Sequence, residues 1–152
     1  MLSDLQEGQI LVSGDNQTSR WFLSTGKIKY YSDWLVVYIE QDIADYYKSL
    51  VPKSRNVCRQ RYNAHITVVR EGMEIPHKNQ MWGKYEGQEI GFLYSPEVES
   101  GGDYYWLNVV STEIEKLREE LGIENIPFKS NPPQGYKKYF HITIGNVKYK
   151  NI

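Results

Sequence analysis

The tripeptide His-Ile-Thr occurs twice, as His65-Ile66-Thr67 and His141-Ile142-Thr143, each time inside an apolar, β-branched run. Each copy closes a similar succession of segments. In the first half, Trp34 to Ile39 is β-branched and aromatic and reads as a buried strand. Asp42 to Leu50 reads as a short helix stopped by Val51-Pro52, and Tyr62 to Arg70 as a second strand. In the second half, the turn Ser100-Gly101-Gly102-Asp103 leads into a strand over Tyr104 to Val110. Thr112 to Leu121 is the clearest helix, with Thr112 and Glu115 at capping-box spacing and Gly122 at the C′ position. Phe140 to Ile144 is the matching final strand. Aligning Trp34-Leu35 with Trp106-Leu107 brings the two His-Ile-Thr motifs into correspondence, given a longer loop before the second. The pattern predicts a duplicated fold whose two lobes, about 34–70 and 104–147, face each other across a pseudo-twofold axis. Glu89 to Tyr94 reads as a further strand, and Thr18 to Tyr31 as a strand or hairpin.

A chain of 152 residues with 40% hydrophobic and 24% charged residues suits one globular domain spanning 1–152. The formal net charge of −1 lacks the basic excess of a duplex-DNA binder, which points to a small anionic ligand. The single Cys58 offers no internal disulfide, in keeping with a reducing cytoplasm. No apolar stretch approaches the roughly 20 residues of a membrane helix, and the N-terminus lacks the layout of a secretory signal. A monomer is expected.

Side chains alternate along a strand, so His65 and Thr67 share a face, as do His141 and Thr143, while Ile66 and Ile142 turn to the core. Two such strands side by side bring two imidazoles and two hydroxyls to one cleft. Phosphodiester cleavage needs that set. A neutral imidazole removes a proton from the attacking oxygen and an imidazolium protonates the leaving one. Hydroxyls steady the non-bridging oxygens as charge builds there. With an ordinary pKa of about 6.5, one neutral and one charged histidine coexist near neutrality. Neither motif has a Cys, Asp or Glu spaced to complete a zinc site, and His77, between Pro76 and Lys78, reads as a surface loop residue. No metal or cofactor is called for.

The paired motifs Ala64-His65-Ile66-Thr67-Val68-Val69 and Phe140-His141-Ile142-Thr143-Ile144, on equivalent strands of a duplicated lobe, resemble those of the 2H phosphoesterase superfamily (LigT-like). The resemblance covers about Trp34 to Val147. It implies an α+β, bilobal fold of two antiparallel sheets flanking a central cleft, with short helices outside. It also implies a metal-free site cleaving 2′,5′- or 2′,3′-cyclic phosphodiesters, with His65 and His141 as acid and base and Thr67 and Thr143 holding phosphate. Small size, abundant tyrosine and the stretch Phe-His-Ile-Thr-Ile-Gly-Asn are most similar to phage anti-CBASS proteins, which degrade the cyclic di- and trinucleotide signals of antiphage immunity. That likeness implies a small cyclic oligonucleotide as substrate and, for a phage-encoded chain, the host cytoplasm as its place. Processing of 2′,3′-cyclic or 2′,5′-linked RNA by the same residues, and sequestration of a nucleotide without cleavage, are the competing readings.

Alternation also names neighbours. Tyr139 and Asn63 lie two residues ahead of the histidines, and Lys137 and Arg61 two further back, as candidate phosphate or base contacts. Tyr139 could equally pack against the opposite lobe. Of Tyr30 and Tyr31, just ahead of the first repeat, one could reach a nucleobase, with Tyr31 the candidate. Trp34 and Trp106, equivalent under the repeat, are expected chiefly in the core, with Trp106 also a candidate substrate contact. The loop Phe128 to Lys138 is a candidate cleft wall, and the charged residues of the second helix, Glu115, Lys116, Arg118, Glu119 and Glu120, a solvated face.

Overall fold

The computed structural model describes residues 9–14, 17–74, 79–128 and 130–148, so His77 lies outside the described residues. Among them run seven strands and two α-helices: β1 (Gln9–Gly14), β2 (Gln17–Tyr30), β3 (Leu35–Tyr38), α1 (Gln41–Ser49), β4 (His65–Val69), β5 (Glu89–Gly101), β6 (Tyr104–Val110), α2 (Thr112–Glu120) and β7 (Phe140–Asn146). The strand–helix–strand order expected of each half is present as β3-α1-β4 and β6-α2-β7.

The strands form one antiparallel sheet in the order β1-β2-β3-β4-β7-β6-β5, and a further pairing of β2 with β5 closes the last six into a barrel. This corrects the expectation of a bilobal, duplicated fold with two separate sheets flanking a cleft. The histidine strands β4 and β7 are direct neighbours, with Ile66 opposite Ile142. At the other seam Phe22 to Lys27 pairs with Tyr94 to Glu89. The edges that would have separated two sheets are satisfied by each other, removing unpaired backbone groups that an open sheet would expose. The fold is α+β, and the halves remain topologically equivalent as β2-β3-α1-β4 and β5-β6-α2-β7.

Closure asks β2 to serve three partners in turn: β1, β5 and β3. At Gly26, where the β5 and β3 pairings meet, a Cβ would lie 2.5 Å from the Tyr38 carbonyl oxygen and from Val37. Only glycine permits that approach.

One face of the sheet is apolar. Ile28, Leu35, Val37, Ile66, Val68, Ile90, Phe92, Leu107, Val109, Ile142 and Ile144 bury with Ala44 and Tyr47 of α1 and Ile114 and Leu117 of α2. The alternation read from the sequence holds on β4 and β7: Ile66 and Ile142 are 0% exposed, while His65, Thr67, His141 and Thr143 all reach solvent. Helix α2 begins one residue earlier than the capping-box reading. Ser111 is its N-cap, accepting the Ile114 N–H at 3.1 Å and donating to the Gly91 carbonyl at 2.6 Å. Gly122 takes the expected left-handed C′ position at φ 81°. No helix among the described residues is long and apolar enough to cross a membrane.

Candidate active site

Antiparallel pairing of Ile66 with Ile142 sets His65 beside Thr143 and Thr67 beside His141 on the opposite face from the isoleucines. The four motif side chains therefore converge, each histidine next to the other strand's threonine. On the outer side of β7, Asn108 of β6 stands opposite His141 and Trp106 opposite Thr143. Trp106 donates from Nε1 to the Asn108 side-chain oxygen at 3.1 Å, which fixes both against β7.

The two histidines have different surroundings. The Nδ1 of His65 lies 2.7 Å from the Asn63 carbonyl, and since a carbonyl only accepts, Nδ1 carries the hydrogen and leaves Nε2 for proton transfer. Trp34 and Tyr38 meet the His65 ring edge to face, with centroids 5.4 and 6.2 Å away. Tyr31 stacks on Trp34 at 5.2 Å and shares a 2.5 Å hydroxyl–hydroxyl hydrogen bond with Tyr38. Burial, followed by that hydrogen bond, pushes the Tyr38 phenol up to about 12, so it stays a neutral donor.

His141 opens into a groove of about 950 Å³ whose walls include Thr67, Thr143, Trp106, Asn108, Tyr139 and Lys138. His65 is not one of its walls and stands on the aromatic side. Although His141 is accessible from the groove, the surrounding protein desolvates it. That effect first, then the nearby positive groups of His65, Lys138 and Arg70, holds its pKa below the ordinary 6.5. A pKa below 6.5 keeps the His141 imidazole neutral at neutral pH.

The remaining candidates divide. Tyr139 lines the groove and packs across the halves, stacking on Trp21 at 6.3 Å and 11° beside a small cluster of Trp21, Leu93 and Val110. Tyr31 reaches the site through Trp34 and Tyr38. Asn63 contributes its backbone carbonyl, and Arg61 is exposed on the segment before β4. Lys137 turns away to α2, its ammonium 2.8 Å from Glu119, and the next residue, Lys138, lines the groove instead. The change of face follows from backbone N–H groups of both lysines being drawn to Glu115, at 2.7 and 3.3 Å, just before β7 begins. Trp34 and Trp106 are half-buried at the site, in place of the core position expected for them.

Helix α2 departs most from its reading as a solvated face. Glu115 is 4% and Arg118 2% exposed. The Arg118 guanidinium binds both carboxylate oxygens of Glu74, at 3.0 and 2.7 Å, the carbonyls of Val68 and Glu124, at 2.7 and 2.9 Å, and the Asn125 side chain at 2.7 Å. Burial disfavours the Glu74 carboxylate, but hydrogen bonds from Arg118 and the Arg70 backbone outweigh it and hold its pKa below the usual value. Arg118 thereby ties the end of β4 to the loop that leads to β7. Charged residues at helix positions 115 and 118 could not be told from surface charges without knowing which face the sheet covers.

Among the described residues no three His, Cys, Asp or Glu side chains gather as a metal-ligand set. No protein-family model matches the chain, and no curated protein or solved structure matches it.

Proposed function

We propose that this protein is a metal-independent phosphodiesterase that opens cyclic oligonucleotides by acid–base catalysis from His141 and His65. The observation that supports the reading is the pairing of Ile66 with Ile142, which sets two imidazoles and two hydroxyls on the same face of neighbouring strands. His141, held neutral, takes the proton of a ribose 2′-hydroxyl as that oxygen bonds to its own 3′-phosphorus. His65 gives a proton to the departing 5′-oxygen as its bond to phosphorus breaks. Thr67 and Thr143 donate to the non-bridging oxygens. The linear product ends in a 2′,3′-cyclic phosphate, which water opens with the two roles exchanged. The resemblance of both motifs to those of 2H phosphoesterases, and of the chain to proteins that degrade the nucleotide signals of antiphage immunity, supports the same reading.

The test is turnover in excess EDTA, read by mass spectrometry, of cyclic dinucleotides, a cyclic trinucleotide, a 2′,5′-linked oligoadenylate and an RNA with a cyclic phosphate end. Linear products from the cyclic species, lost in His65→Ala and His141→Ala, are expected. Cleavage of the linear substrates alone would move the role to RNA processing, and tight binding without turnover would make the protein a nucleotide sponge.

A further inference from the structure

The groove continues past Thr67, His141 and Thr143, and its charges beyond them follow a pattern that catalysis at one phosphate does not use. Lys138, Arg70 and Arg118 all line it, together with Glu74 and the exposed Glu124. Glu74 is engaged in the two-pronged contact with Arg118, while Arg70 stands further off at 3.7 Å with its side chain more than half exposed. The Lys138 ammonium, which carries three donors, is tethered by one contact of 3.2 Å to the Ile126 carbonyl. Pro127 and Phe128, which follow Ile126 in the chain, line the same groove, the latter 85% exposed. Burial, then the charges of Arg118 and Arg70, lowers the Lys138 pKa even though Glu74 opposes them. Both Lys138 and Arg70 also act on His141. Like charges held together beside a proton-transfer site are relieved by an anion between them.

We propose that the groove beyond His141, at Lys138 and Arg70, is a subsite for the phosphate next to the one being cleaved, so that the substrate class is an oligonucleotide with at least two successive phosphates. Cyclic di- and trinucleotides meet that requirement and a 2′,3′-cyclic mononucleotide does not. Phe128 offers the intervening base an apolar surface at the same place. The assignment rests on the reading of His65, His141 and their threonines as the cleavage point.

Binding of 2′-deoxy ligands tests it without turnover, since they lack the attacking hydroxyl. The wild type is titrated calorimetrically with a deoxyadenosine dinucleoside monophosphate and with its 5′- and 3′-phosphorylated forms. One added phosphate is expected to tighten binding by about tenfold, the scale of one charge-assisted contact. The ratio of affinities should fall toward one in Lys138→Met and Arg70→Met and persist in Lys138→Arg. Equal affinity of the wild type for all three ligands, or a ratio that survives both methionine variants, overturns the subsite. Turnover of ribonucleotides in EDTA is scored separately. A phosphate preference without turnover keeps the subsite and removes the hydrolytic reading, whereas turnover without a preference does the reverse.

Discussion

The two halves of the barrel place equivalent strands by unequal means. Ahead of β4, the Gln41 side-chain oxygen at the start of α1 accepts the Ala64 N–H at 2.8 Å, a neutral contact one residue before His65. Ahead of β7, the buried carboxylate of Glu115 in α2 takes two successive N–H groups. Arg118 ties that segment to the end of β4, with hydrogen bonds to Glu124 and Asn125 on one side and to Val68 and Glu74 on the other. Helix α1 has no counterpart of that pair; its Asp45 meets Arg59 at 3.2 Å with both side chains largely in water. The difference carries into the site. The first half surrounds its histidine with aromatic rings and a carbonyl, the second with cations and an open groove. Topologically equivalent positions supply two like strands, and unlike supports give their histidines unlike surroundings, with His141 alone desolvated beside the cations.

The sharpest way to break the comparison is to remove the histidines. Each of His65→Ala and His141→Ala is expected to cut turnover by about 10²–10⁴-fold, the worth of one general acid or base, with the double variant far from additive. Steady-state rates on one cyclic dinucleotide check this, and full activity in either variant defeats the pairing of roles. Next comes the support in the second half. Arg118→Ala leaves Glu74 buried without its partner and should lower stability by about 3–5 kcal/mol in urea unfolding. Cutting the lighter support of the first half, Gln41→Ala, orphans one backbone N–H and should cost about 1–3 kcal/mol. If the two losses are equal, the halves are held alike after all. Asp45→Ala should cost no more than about 1 kcal/mol, because its ion pair is exposed.

The finest distinction is in pH. A base whose pKa lies below 6.5 keeps its activity down into the acid range, so the acid limb of kcat/KM should fall below that value. Lys138→Met removes one of the charges that lower it and should move the limb upward. In stability the sign is equally defined. The unfolded chain binds the His141 proton more tightly than the folded one. The folded state therefore keeps this contribution above about pH 6.5 and loses it as pH falls through the lowered pKa. Toward acid pH the urea midpoint of the wild type should fall relative to that of His141→Asn.

What could be read from residues alone was whatever repeats locally. Period-two alternation put Ile66 and Ile142 on one face and the four polar motif residues on the other, and the bounds of β6 follow from its β-branched and aromatic run. Closure of the barrel was hidden, because which edges pair is a property of the assembled sheet and not of any segment. The roles of Lys138, Arg70, Asn108, Trp34 and Arg118 were hidden for the same reason: each depends on a neighbour distant in sequence. For Lys137 and Lys138, strand alternation was extended beyond the point where β7 starts, and the pull of Glu115 on the backbone there reset the register of faces.

The seam between β2 and β5 has a consequence for how the chain reaches this state. Phe22 must find Tyr94 and Ile66 must find Ile142 before either half has two satisfied edges. Such pairings close long loops before they return any contact energy, which slows folding relative to chains built from local contacts. The transition state should therefore be a joint event of both halves, with a fragment ending after β4 remaining open-edged and prone to associate with its own copies.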